Sequence, residues 1–158
     1  MQAKDIMSVK VVSVTPKQTL KEVMELFFEH KVSGFPVVDN ENKVIGILSE
    51  RDIVRYCEKE KAIPFASVTG WLASHVYLTD LARLKKGVEL LAKTTVEKVM
   101  RPEVITAKEN LSISDAAKIM NRHRINRIPI VDQENRLSGI ITRDDLVNFL
   151  AEKDIYLR

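Results

Sequence analysis

The chain has a single cysteine, Cys57, so it can form no internal disulfide, and a reducing compartment is its expected setting. Glycine and proline are scarce, five of each in 158 residues, and 45% of the residues are hydrophobic. That balance is too apolar for a disordered chain, and 30% charged residues are too many for a membrane protein. No apolar run approaches the roughly 20 residues of a spanning helix. The opening Met1-Gln2-Ala3-Lys4-Asp5 has neither a signal-peptide core nor an Arg-rich transit pattern, so a cytoplasmic location is expected. The net charge of +3, from 25 basic and 22 acidic residues, is too small to imply nucleic-acid binding. Catalytic patterns are missing too. His30, His75 and His123 are far apart and have no metal-ligand spacing with Cys57. There is no Walker-type lysine loop and no dinucleotide glycine fingerprint. No enzyme activity and no resident cofactor or metal are expected.

What the sequence does contain is a repeat. Residues 5–59 align with 98–152 at a constant offset of 93, without a gap. Met7 meets Met100, His30 meets His123, Pro36 meets Pro129, Gly46-Ile47 meets Gly139-Ile140, and Asp52 meets Asp145. The expected organisation is repeat one over 1–59, a helical insert over 60–95, and repeat two over 96–158.

Both copies follow one pattern. A β-rich run, Val11–Val14 or Val104–Ala107, opens each. A helix follows, with Leu20, Val23, Met24 and Phe27 on one face, matched by Ile113, Ala116, Ala117 and Met120. Thr19 with Glu22 and Ser112 with Asp115 have capping-box spacing. Two short strands around a polar turn and a closing helix complete a β-α-β-β-α unit. About 55 residues make little core alone, so the two copies are expected to pack into one α+β body with pseudo-twofold symmetry. In the insert, Leu81, Leu84, Val88 and Leu91 mark an amphipathic helix started by Thr79 or Asp80, and Trp71, Leu72 and Tyr77 belong to a less regular piece. These are read as core-covering helices, with a partner-docking surface or pocket lid as the alternative. Cys57 falls on an apolar helix face as inert core, and His30 and His123 are turn residues.

Two motifs then stand in register: Phe35-Pro36-Val37-Val38-Asp39 with Gly46-Ile47-Leu48-Ser49-Glu50-Arg51-Asp52, and Ile128-Pro129-Ile130-Val131-Asp132 with Gly139-Ile140-Ile141-Thr142-Arg143-Asp144-Asp145. This pattern resembles the cystathionine-β-synthase (CBS) domain family over everything except the insert. The resemblance implies an α/β sandwich whose inter-repeat cleft holds an adenosine compound: AMP, ADP, ATP or S-adenosylmethionine. It implies that Asp52 and Asp145 bind ribose hydroxyls and that Ser49 and Thr142 contact phosphate. Arg127 resembles the phosphate-binding arginine of the energy-sensing γ subunit of AMP-activated kinase, whereas repeat one has Gly34 there. By the same analogy Met7 and Val12 wall the adenine of the Asp145 site, and Met100 and Ile105 that of the Asp52 site. A disc-shaped homodimer that regulates a separate protein is also implied, in which Arg124 or Arg127 approaches the other chain's ligand.

The chemistry fits. A carboxylate accepts from both hydroxyls of a ribose, a hydroxyl with free N–H groups at a helix start cradles phosphate, and arginine grips phosphate bidentately. The same residues have plainer readings: Ser49-x-x-Asp52 and Thr142-x-x-Asp145 are also N-capping patterns, Met7, Val12, Met100 and Ile105 could be ordinary core, and the basic run around Arg124 a solvated loop. The favoured function is a regulatory adenine-nucleotide sensor. The alternatives are a ligand-independent dimeric scaffold, an S-adenosylmethionine-type sensor and, least favoured, nucleic-acid binding through Arg122, Arg124 and Arg127.

Overall fold

A computed structural model describes residues 1–62 and 81–155, with the side chains of all but 81–83 and 153–155. Trp71, Leu72, His75, Tyr77, Thr79 and Asp80 lie outside the described residues. The element order is α1 (Leu20–His30), β1 (Gly34–Val38), β2 (Val44–Ser49), α2 (Glu50–Lys59), α3 (Leu81–Lys93), α4 (Ile113–His123), β3 (Arg127–Val131), β4 (Leu137–Thr142) and α5 (Arg143–Ile155). β1 pairs with β2, and β3 with β4. No helix among the described residues is long and apolar enough to cross a membrane.

The helix starts follow from local chemistry. At α1 the Thr19 side chain accepts from the Glu22 N–H, and the Glu22 carboxylate accepts from the Thr19 N–H at 2.6 Å. This reciprocal box satisfies two otherwise orphaned donors, and the Thr19 bonds hold the Glu22 carboxyl below its ordinary pKa. At α4 the Ser112 hydroxyl accepts from the Asp115 N–H at 3.0 Å. Its return bond to the Asp115 carboxylate, 2.7 Å, comes from the hydroxyl and not from the Ser112 N–H, so this cap is half of the expected box. Both helices end on a non-glycine residue in the left-handed region, Lys31 and Arg124, each at φ 52°.

The chain divides into two compact units, and neither is one repeat. Unit one comprises Met1–Ser13, Val38–Ile45 and Glu103–Arg158; unit two comprises Val14–Val37 and Gly46–Pro102. Each unit therefore takes its opening segment from one repeat and its body from the other. In unit one the core is Ala3, Ala116, Met120, Ile128, Ile130, Ile141 and Leu146, with Ile6 and Met7 packed against it. Burying each larger side chain contributes about 1.5–3 kcal/mol. The segment from repeat one is stitched on by Ala3 N–H to Leu111 C=O at 2.7 Å and by a Ser8–Ile140 bridge. In unit two the core includes Leu20, Val23, Phe27, Phe35, Leu48 and Ile53, with the Phe27 and Phe35 rings 4.6 Å apart. There the segment from repeat two is held by Val96 N–H to Gln18 C=O at 2.9 Å and by an Ile47–Arg101 bridge. The isolated bridges of the two units correspond residue for residue at the offset of 93.

Three expectations need correction. The opening β-rich runs form no ladder: each supplies one parallel bridge, Val14 to Val37 and Ala107 to Ile130, because each aligns with its sheet at a single residue. Short 3₁₀ turns, Ala3–Asp5 and Val96–Lys98, precede them. Ala117 is exposed, so the α4 stripe is narrower than its α1 counterpart. Finally, α3 forms and packs on α1, yet Leu84 and Val88 are 46% and 53% exposed. Among the residues 84–93 its buried position is Gly87, which lacks a side chain and lets a helix approach its neighbour closely.

Candidate functional site

The candidate residues of unit one meet where β3 begins, β4 ends and α5 begins. Antiparallel pairing sets Arg127 directly opposite Thr142, with Ile128 opposite Ile141, so the Arg127 and Thr142 side chains leave the same face of the sheet. Thr142 caps α5. Its N–H and hydroxyl both donate to Asp145 Oδ2, at 2.7 Å each, and its Oγ1 accepts from the Asp145 N–H at 3.3 Å. The cap occupies one carboxylate oxygen and leaves Oδ1 outside it. Among the described residues no cation forms an ion pair with Asp145, which is half-buried.

Met7 reaches the same region from the other repeat. Ser8 and Ile140 exchange backbone bonds of 2.9 and 3.0 Å, which lays Met7 across Gly139. A Cβ built on Gly139 would stand 2.5 Å from the Met7 sulfur, so any larger residue there requires the Met7 side chain to shift. Val12 is half-buried in the same unit, and among the described residues its backbone makes no hydrogen bond. An extended segment with an unused N–H and C=O can pair with the polar edge of a base.

The site of unit two repeats this plan with three substitutions: Ser49 for Thr142, Gly34 for Arg127 and Arg101 for Ser8. Ser49 caps α2: its N–H and hydroxyl donate to Asp52 Oδ2 at 2.8 and 2.5 Å, and its Oγ accepts from the Asp52 N–H at 3.4 Å. Met100 lies over Gly46, with the Met100 sulfur 2.8 Å and the Arg101 carbonyl oxygen 3.0 Å from where a Cβ would stand. Of these, Arg101 is the one that reaches the carboxylate: its Nε is 3.3 Å from Asp52 Oδ1. Asp52 is 8% exposed. Arg101 does not stand out in the sequence as a site residue; its only signal is the unlike pair Ser8/Arg101, one of several in the alignment of the repeats. Ile105, expected beside Asp52, falls in unit one, whereas Ser49, Asp52 and Met100 fall in unit two.

The remaining candidates have structural explanations. Arg122 and His123 occupy the last turn of α4 and Arg124 is its left-handed C-cap, where positive charge complements the helix dipole. His30 likewise ends α1. Cys57 is buried, and burial raises the pKa of its thiol. A surface depression of unit one, lined by residues such as Lys4, Lys108 and Asp132, includes none of the candidate site residues. Among the described residues no cluster of His, Cys, Asp and Glu could hold a metal.

Comparison with known proteins identifies the family and the fold. The uncharacterised protein MJ1426 of Methanocaldococcus jannaschii is 37% identical over 158 residues, spanning 95% of this chain and 91% of that one. Among solved structures, CBSX2 in complex with AMP superposes with a TM-score of 0.72 at 24% identity, over 97% of this chain and 98% of that one. The CBS domain pair of MJ0100, solved with 5′-methylthioadenosine and S-adenosyl-L-methionine, superposes with a TM-score of 0.71 at 23% identity, over 95% and 99%. The CBS domain profile matches residues 3–59 and 96–152, and the chain belongs to the CBS domain family, carrying two copies of that domain.

Proposed function

We propose that the chain is a regulatory module that binds an adenine nucleotide at the Asp145 site and through it modulates a separate protein. The observation that carries this reading is the pairing of Arg127 with Thr142 across the β3–β4 ladder, beside a carboxylate whose Oδ1 is outside the helix cap. Asp145 Oδ1 accepts from the ribose hydroxyls, and Thr142 and Arg127 face the phosphate. The base lies against Met7, with its polar edge on the Val12 backbone. Two relatives in fold, CBSX2 and the MJ0100 pair, were solved with AMP and with S-adenosyl-L-methionine and 5′-methylthioadenosine, which supports an adenosine compound here. The Arg127 cation favours AMP, ADP or ATP over a sulfonium ligand. Ser49, Asp52 and Met100 form a second site of the same class; Ile105, from the other unit, is not assigned to it.

The module has a regulatory, not a catalytic, role in this reading. Ligand binding regulates when two conformations differ in affinity for it. Exposed Val147 and Leu150 on α5 and Phe28 on α1 support a homodimer, the form in which a cytoplasmic partner reads the ligand state. The test is calorimetric titration with AMP, ADP, ATP, S-adenosylmethionine and a GMP control. Asp145→Ala should abolish the tight phase for the adenine nucleotides and leave the circular dichroism spectrum native. One specific observation favours the runner-up, a ligand-independent scaffold: both Ser/Thr–Asp caps are complete within the protein itself. Absence of heat with every adenosine compound would select it.

A further inference from the structure

Asp52 and Asp145 are equivalent in the repeat and make the same cap, but among the described residues only Asp52 is also ion-paired. Its Oδ2 accepts from the Ser49 N–H and hydroxyl, and its Oδ1 faces Arg101 Nε at 3.3 Å. Both oxygens are thereby engaged, and the carboxylate is more than nine-tenths buried. A ribose diol needs an open carboxylate oxygen as acceptor. It reaches Asp52 only where the guanidinium leaves.

The backbone fixes Arg101 in that position. Arg101 N–H donates to Ile47 C=O at 2.9 Å and Ile47 N–H donates to Arg101 C=O at 3.0 Å. Ile47 lies two residues before the capping Ser49 in β2, so the bridge delivers the arginine side chain next to the cap. In unit one the same bridge, between Ile140 and Ser8, delivers a serine. Its short neutral side chain cannot neutralise Asp145. The arginine side chain is itself 51% exposed and has open solvent into which it can swing.

We propose that Arg101 is a specificity-determining residue that occupies the Asp52 carboxylate in competition with ribose, making the two sites of one chain unequal. The Asp145 site fills first, and the Asp52 site takes nucleotide only as Arg101 is displaced. This rests on the adenine-nucleotide reading above. It gives the chain a graded response over a wider concentration range than two equal sites would provide. A half-exposed ion pair of this kind weakens the competing ligand by about two- to fivefold.

The test is equilibrium dialysis with radiolabelled AMP on four full-length proteins: wild type, Arg101→Ser, Asp145→Ala and the double variant. Wild type should bind one equivalent tightly and a second weakly. Arg101→Ser, which installs the residue of the other repeat, should tighten the second equivalent by about two- to fivefold. The double variant should retain that tightened equivalent on its own, which separates it from the Asp145 site. A ligand-independent readout accompanies it: the Arg101 Nε–H resonance should be shifted by its carboxylate partner in wild type and should move on Asp52→Asn substitution. Unchanged AMP binding in Arg101→Ser overturns the inference while leaving the sensor reading intact. Weaker binding in Arg101→Ser also overturns it, since the arginine would then hold phosphate. No AMP bound by any of the four overturns the nucleotide reading itself, and this inference with it.

Discussion

Gly46 and Gly139 occupy equivalent positions, yet alanine at the two should have unequal costs. At Gly139 the new methyl group meets Met7 alone: the sulfur at 2.5 Å, Cγ at 3.1 Å and Cε at 3.2 Å. All three atoms belong to one flexible, unbranched side chain that can change rotamer. At Gly46 the methyl meets the Met100 sulfur at 2.8 Å and also the Arg101 carbonyl oxygen at 3.0 Å. That carbonyl is backbone and is held by the Ile47 N–H at 3.0 Å, so relief requires moving the bridging segment. Overpacking typically costs about 1–3 kcal/mol; Gly139→Ala should lie near the lower end, about 1, and Gly46→Ala near the upper, about 3. For a chain of this size each kcal/mol lowers the midpoint by roughly 2–4 °C. Differential scanning calorimetry should therefore show a fall of about 3 °C for Gly139→Ala and about 9 °C for Gly46→Ala. A double-mutant cycle adds the sharper check. Met7→Ala should relieve most of the Gly139→Ala cost, whereas Met100→Ala should relieve only part of the Gly46→Ala cost, because the carbonyl remains. Equal costs at the two glycines, or no coupling between positions 139 and 7, would refute the reasoning.

Further outcomes follow from the helix ends. Lys31 and Arg124 are left-handed C-caps without glycine, so Lys31→Gly and Arg124→Gly should each stabilise the fold by about 0.5 kcal/mol, relief of strain outweighing the greater freedom of the unfolded chain; urea unfolding checks this. The Thr19 bonds depress the folded-state pKa of Glu22, so its contribution is fully present above the ordinary carboxylate value and is lost as pH falls through the lower folded value. Glu22→Gln should flatten the acid limb of stability, seen by urea unfolding at pH 7 and pH 3. Asp115, depressed chiefly by the Ser112 hydroxyl and then by Lys118, loses its contribution in the same direction, and Ser112→Ala should reduce that acid sensitivity.

Much of this architecture is legible in the sequence because the repeat prints every local signal twice. The stripe Leu20, Val23 and Phe27 is buried as its spacing requires, and the Ser49 and Thr142 caps form where a hydroxyl stands three residues before an acid. Long-range placement is harder to read. Val11–Val14 has strand composition, but composition cannot say that its sheet offers a partner at one residue only. The spacing of Leu84 and Val88 describes a helical face without specifying what covers it. Arg101 escapes for a related reason. Its role depends on a bridge to Ile47, more than 50 residues away in sequence, and no local pattern contains that contact. The exchange of opening segments between the two units is likewise invisible in either copy alone, although the glycines at 46 and 139 are its residue-level requirement.

The central claim is that Asp145 receives a ribose in a site built from both repeats. A crystal structure of the protein grown with AMP tests it most directly. Ribose hydroxyls should lie within hydrogen-bond distance of Asp145 Oδ1, phosphate at Thr142 and Arg127, and the base against Met7 and the Val12 backbone. AMP bound with its ribose away from Asp145, or a site empty at saturating nucleotide, would contradict the account and leave Thr142 and Asp145 as helix caps alone.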